Sequence, residues 1–466
     1  MALVGFAAVS AGPANTESLQ AALGAAYRYN PTLDAERARL RATDENVSRA
    51  HSGYRPTIQG NASVTYQDTN VEPNSPTEGR TQPRSYGVDL SQPIFRGFQV
   101  INGVREAEAQ VRAAREILRS VEQQVLLDAA TAYMDVVRDQ AIVRLRENNI
   151  TVLSRELKAT QDRFAVGEVT RTDVAQAQAR RAAAVSALEL ARANLKTSRA
   201  NYERVIGSPP SNLRAPTLPA RLIPKSLQEA VAISAREAPG LVGALYNEQA
   251  ARHTVDKTWG ELLPRVDVQA SYQNTLDPST TTDRSESTQV VGRLTVPFYQ
   301  GGEVRARVRQ AKHSHVSRLQ EIEEQRALAQ ANVTRAWSLL LASQAQLQSD
   351  RIAVQSNRTA LDGVREEERV GQRTLLDVLN AEQEYLDSRV QLEITQRDVI
   401  VNSYALIASM GRLNVQELGV SSSVYDPETH YLEVRRKWFG LSITHADGRR
   451  ENVDLWESHG KRDSMK

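Results

Sequence analysis

The sequence predicts a chain of mixed α and β structure: long antiparallel coiled-coil helices, plus four strands per chain that three chains can close into a 12-stranded transmembrane β-barrel. Three observations carry this expectation. One sequence pattern occurs twice at a constant spacing, two very long stretches carry heptad patterning, and four short stretches alternate apolar with polar residues.

The repetition is most visible in "VGEVTRTDV" from Val166 and "VGQRTLLDV" from Val370, where Gly371, Thr374 and Asp377 each follow Gly167, Thr170 and Asp173 by 204 residues. The same spacing relates Pro93 to Pro297, Gly97 to Gly301, Tyr133 to Trp337 and Gly207 to Gly411. Upstream, "SLQAA" from Ser18 matches "SLQEA" from Ser226, and Pro31 and Pro56 match Pro239 and Pro264, at a spacing of 208. The small change falls between the two ends, among strands and polar loops that tolerate length differences. A tandem duplication follows.

Taken in order, residues 1–16 read as the remnant of an apolar leader or as disorder. Residues 17–53 form the helix of the first repeat, 54–97 a β-barrel hairpin and 98–206 a helical hairpin. The Pro-rich stretch 207–225 is a linker. The second copy follows as a helix over 226–261, a β hairpin over 262–301 and a helical hairpin over 302–411. Residues 412–466 are an equatorial segment and C-terminal tail, which reads as irregular and disordered from about 442. Helical periodicity places single helices over 17–52 and 226–259.

The long helices run over about 98–165 and 302–369, roughly 100 Å each at 1.5 Å per residue. Val104, Val111, Leu118, Val125 and Ala132 mark a heptad seam in the first. Gly167 and Gly371 stand where a left-handed C-cap closes such a helix. Thr170 with Asp173, and Thr374 with Asp377, match the box that opens the next one. Each motif therefore reads as the tip of a helical hairpin.

The strands alternate. In the first copy Ile58, Ala62, Val64 and Tyr66 oppose Gln59, Asn61 and Ser63, and Tyr86, Val88, Leu90 and Ile94 oppose Ser85, Asp89 and Ser91. In the second, Val266, Val268, Ala270 and Tyr272 oppose Asp267, Gln269 and Ser271, and Val290, Leu294, Val296 and Phe298 oppose Gln289, Arg293 and Thr295. A four-stranded sheet with one apolar face has exposed edges, which closure with other chains removes. The strand lengths and terminal aromatics suit a membrane barrel, and three chains supply its twelve strands.

Composition removes several functions. Lys and Arg total 58 against 56 Asp and Glu, so no nucleic-acid partner is expected. There are no cysteines, hence no disulfide, thiolate metal site, thiol nucleophile or lipidated N-terminal cysteine. No uninterrupted apolar run is long enough for a membrane-spanning helix. His313 and His315, spaced i, i+2, point apart on a helix, so no metal is expected. No cofactor is expected, and no nucleotide loop or catalytic triad appears, so the chain is expected not to be an enzyme.

The duplication, "SQPIFRGF" and "TVPFYQGG" at strand ends, and the tips, above all "RVGQRTLLDVLNAEQEY", resemble the TolC family of outer-membrane channel proteins over about residues 17–412. The resemblance implies a homotrimer in the outer-membrane lipid, its β-barrel continuing into a long antiparallel coiled-coil helical barrel that forms a tunnel in the periplasm. It implies passive export of small molecules such as drugs, or of secreted proteins, with a periplasmic adaptor protein and an inner-membrane transporter. It places Asp377 and Arg373 at a gate at the tunnel entrance, with Asn380 where the family's best-known member has a second acidic residue. Val166, Gly167, Thr170, Asp173, Val370, Gly371 and Thr374 become the adaptor contact at the tips. On their residues alone, Asp377 and Asp173 are equally well read as helix caps and Arg373 as a solvated charge. The alternative for the whole chain is a periplasmic coiled-coil scaffold or adaptor, which would not need four two-faced strands.

Overall fold

The computed structural model describes residues 17–70, 79–420, 424–444 and 450–451. The leader expected at 1–16 lies outside these, as do 445–449 and 452–466 of the tail.

The first copy opens with α1 (Leu19–Tyr29) and α2 (Pro31–His51). The Ser18 side chain accepts from the Ala21 N–H and caps α1. Periodicity places one helix here, but the structure has two. Asn30 is extended (φ −74°, ψ 120°) because a residue before proline is pushed out of the helical region, while Pro31 suits the first position of a new helix. Asn30 makes the corner useful, donating from Nδ2 to the Val205 carbonyl at 2.9 Å and accepting from the Thr32 N–H at 3.0 Å.

Strands β1 (Thr57–Val64), β2 (Gln67–Thr69), β3 (Gly79–Thr81) and β4 (Arg84–Arg96) follow, then the helical hairpin of α3 (Gln99–Ala165) and α4 (Arg171–Ile206). Its seam is as the heptad predicts: Val104, Val111, Leu118, Val125 and Ala132 are all buried. The Pro-rich linker holds no helix beyond one 3-10 turn at Ala220–Leu222.

The second copy repeats the plan. Helices α5 (Leu227–Glu237) and α6 (Pro239–Trp259) are separated at extended Ala238, again one residue before a proline, so the single helix expected over 226–259 is also two. Strands β5 (Arg265–Ser279) and β6 (Thr282–Thr295) lead into α7 (Glu303–Arg369) and α8 (Leu375–Ser409). The chain ends with α9 (Val415–Leu418), α10 (Pro427–Val434) and the paired β7 (Ile443–Thr444) and β8 (Arg450–Glu451), a short hairpin inside the stretch expected to be irregular.

The described residues form two compact units. One takes those up to Glu36 with Ile117–Val242 and Gln325–Tyr425. Its core holds Tyr133, Tyr202, Leu23, Leu406 and Ile407, all essentially inaccessible. The Tyr133 hydroxyl ties in the start of the chain and the linker, with the Glu17 and Arg214 carbonyls 2.8 and 2.7 Å away. The other unit takes Arg37–Glu116, Gly243–Glu324 and the residues from Asp426 on. In it α10 packs its Tyr431 against Val47, Ala107 and Val111, and His430 Nδ1 lies 2.9 Å from the carboxylate of fully buried Asp44.

Candidate functional site

Two regions bear on function, and each is built from residues named above. The first is the sheet, whose order β1-β4-β5-β6 is antiparallel throughout. Its register aligns side chains in rows across all four strands. Ile58, Leu90, Ala270 and Val290 form one row, and the next row along, on the opposite face, is Gln59, Asp89, Ser271 and Gln289. Because alternate residues point to opposite faces, these rows are apolar on one side and polar on the other, while farther along the first face also carries Arg84, Asn274, Glu286 and Arg284.

Three details differ from simple alternation, the first being that β6 stops at Thr295, before Val296 and Phe298. Strand β1 stops at Val64, before Tyr66. A bulge between Pro93 and Phe95 brings Phe95, rather than Ile94, into the row of Val266 and Leu294. Among the described residues the outer edges of β1 and β6 have no partner strand. Every residue of β1 is exposed, as are all but one of β6. Ile58, Val290 and Leu294 are 66%, 71% and 64% accessible. A soluble sheet does not leave such residues bare on its core face.

The second region is the pair of hairpin tips. Helix α3 ends through Gly167 (φ 84°), with the Gly167 and Glu168 N–H groups bonded back to the carbonyls of Phe164 and Arg163. Helix α7 ends the same way through Gly371 (φ 77°). Only glycine enters this left-handed region without strain. The next helices begin with full capping boxes. Thr170 Oγ1 accepts from the Asp173 N–H, and the Thr170 N–H donates to the Asp173 carboxylate at 2.8 Å. Thr374 and Asp377 do the same at 3.0 Å. Those hydrogen bonds, first from the backbone N–H and then from the hydroxyl, hold both carboxyls below the usual aspartate range.

Arg373 extends to Glu367 of its own tip, at 2.9 Å. Val166 and Val370 stand exposed beside the glycines, at 72% and 71%.

Links between the two hairpins carry no signal in local sequence, since the partners are about 200 residues apart. Arg163 Nη1 reaches Glu368 at 2.7 Å, and Arg180 Nη2 donates to Asn380 Oδ1 at 2.6 Å. Asn380 thus receives a cation from the other copy. Behind them Leu153, Ala177, Ala184, Leu375 and Leu379 form a small apolar cluster. Deeper still, Glu382 pairs with Arg365, and burial pushes its carboxyl up against the pull of that arginine.

The family model for outer membrane efflux proteins matches residues 22–208 and 233–412, one block for each copy. The chain belongs to this family. The outer membrane efflux protein BepC of Brucella suis is 40% identical over 449 residues, covering 96% of this chain and 95% of that one. The outer membrane protein TolC of Escherichia coli is 26% identical over 437 residues, covering 90% and 86%. Among solved structures, the CmeC outer membrane channel of Campylobacter jejuni superposes with a TM-score of 0.77 at 16% identity, over 94% of this chain and 97% of that one.

The chain is an outer-membrane channel protein, of a family of channels rather than enzymes. Among the described residues no helix is long and apolar enough to cross a membrane.

Proposed function

We propose that three copies of this chain join their sheets edge to edge into a twelve-stranded barrel, and that the barrel opens into a tunnel made by the helical hairpins. The unpartnered edges of β1 and β6, flanking a sheet whose apolar face is bare, support this reading. Closing the sheet gives each edge a neighbour, and lipid covers the apolar face. The rows containing Asp89 and Gln289 then face a watery lumen. The duct is passive, carries small molecules or secreted proteins, and works with an inner-membrane transporter and a periplasmic adaptor. It has no catalytic activity of its own.

The tips serve as the entrance. Asp377 and Arg373 are its gate residues, and Val166, Gly167, Thr170, Asp173, Val370, Gly371 and Thr374 form the adaptor contact. The exposed valines give the adaptor two apolar anchors beside rigid glycine turns. The trimer reading is tested by extracting the protein from outer membranes in mild detergent and measuring its mass before and after heating. A heat-sensitive trimer is expected. A monodisperse monomer stable without detergent overturns the reading and favours a periplasmic scaffold.

A further inference from the structure

The segment "VRRKWFGLSI", Val434–Ile443, plays no part in the duct described above. Its anchoring is specific. Val434 is 2% accessible, Arg435 Nη2 bonds Glu108 at 3.0 Å, and Arg55 Nη1 donates to the Lys437 carbonyl at 2.8 Å. Arg55 also lies 4.8 Å from the centre of the Trp438 ring.

Two residues after Arg55, strand β1 begins, so the segment is pinned at the foot of the membrane sheet. That foot already exposes large aromatics: Tyr54 before β1, Phe98 after β4, and Phe298 and Tyr299 after β6, the last two at 90% and 77%. Such residues mark the level of a membrane–water boundary. Beyond its anchor, the segment turns its apolar side chains outward. Trp438, Phe439, Leu441 and Ile443 are 57%, 86%, 54% and 53% accessible, and Arg436 beside them is exposed.

We propose that Trp438, Phe439 and Leu441 insert into the periplasmic leaflet of the outer membrane, with Arg436 meeting lipid phosphate, making this segment a non-covalent membrane anchor. Four large apolar side chains following a basic cluster have the chemistry of an interfacial lipid-binding element. A cation near an anionic membrane surface adds to such binding. A neighbouring copy of the chain is the competing occupant of the same surface. The inference rests on the sheet being the membrane portion.

Absence of native cysteine makes the test direct. Phe439→Cys, Leu441→Cys, Val290→Cys and Thr429→Cys are each spin-labelled in the full-length protein. The labelled proteins are reconstituted in vesicles of phosphatidylethanolamine with phosphatidylglycerol, and relaxation by oxygen and by a water-soluble nickel complex is compared. Labels at 439 and 441 are expected to be oxygen-accessible and shielded from nickel, like 290, with 429 the reverse. Exposure to nickel at 439 and 441 while 290 stays shielded overturns the anchor alone. Exposure of 290 as well overturns the membrane assignment of the sheet. Shielding of 439 and 441 from both agents identifies a neighbouring copy as the occupant and also overturns the proposal. Arg436→Gln is expected to weaken the shielding at 439 in vesicles containing phosphatidylglycerol and to leave it unchanged in pure phosphatidylcholine.

Discussion

Gly371 and Gly97 show how one residue type does two jobs, and substitution separates them. At Gly371 a Cβ would meet nothing within 4 Å, so Gly371→Ala adds only the strain of a left-handed backbone (φ 77°). That costs about 1 to 2 kcal/mol, and Gly371→Asn is expected to cost less, as thermal unfolding of the assembled protein will report. At Gly97 a Cβ would drive into the Gly260 carbonyl oxygen, and at Gly260 into that of Gly97. The two backbones touch where β4 turns into α3, so either alanine variant is expected to abolish accumulation in the membrane. The tip aspartates add a pH dependence. Both carboxyls are held below their ordinary value of 3.8, so their charged forms are favoured by folding. Their stabilisation is present above that pH and lost as pH falls through the lowered folded value. Hydrogen exchange at the first turns of α4 and α8 should therefore accelerate on acidification below pH 3.8. Asp173→Asn and Asp377→Asn should abolish that acceleration, each at its own helix.

At the scale of elements, the sheet register makes a sharp prediction. Leu90 lies in the apolar row of Ile58, Ala270 and Val290, whereas neighbouring Ser91 is on the polar face with Thr57 and Gln269. Leu90→Asp puts a charge against lipid, a cost of about 2 to 4 kcal/mol for basic residues at mid-membrane and less for acids, while Ser91→Asp faces the lumen. Outer-membrane yield should fall for the first and hold for the second, and equal yields contradict the register. This sheet was legible in the sequence because alternation is a local property, as was each tip, where Gly-x-x-Thr-x-x-Asp encodes a cap and a box within seven residues. The corners at Asn30 and Ala238 were less so: Pro31 and Pro239 matched between the copies, yet amphipathic periodicity runs straight through them. The bulge at Pro93 depends on how β4 meets β5, some 170 residues on. Arg163 with Glu368, and Arg180 with Asn380, depend on two hairpins lying side by side, which no local pattern states.

For the whole molecule, the proposed trimer would turn each tip residue into a ring of three. If three Asp377 side chains converge on the tunnel axis, their charges focus the field in a narrow aperture and favour cations. The observed contacts sharpen the experiment, because Asp377 is at once a cap and a candidate gate, whereas its twin Asp173 has the same capping bonds. Asp377→Asn and Asp173→Asn remove the same charge and leave a side-chain oxygen for the cap. In planar-bilayer recordings Asp377→Asn is expected to lose cation preference and to resist block by multivalent cations, with trimer stability little changed, while Asp173→Asn keeps both properties. Arg373 bonds within its own tip to Glu367, so Arg373→Ser should loosen that turn and raise conductance only if the turn itself holds the entrance narrow. Should the two aspartate variants shift selectivity equally, or neither shift it, both carboxylates are caps alone, and the entrance must be controlled elsewhere along the hairpins.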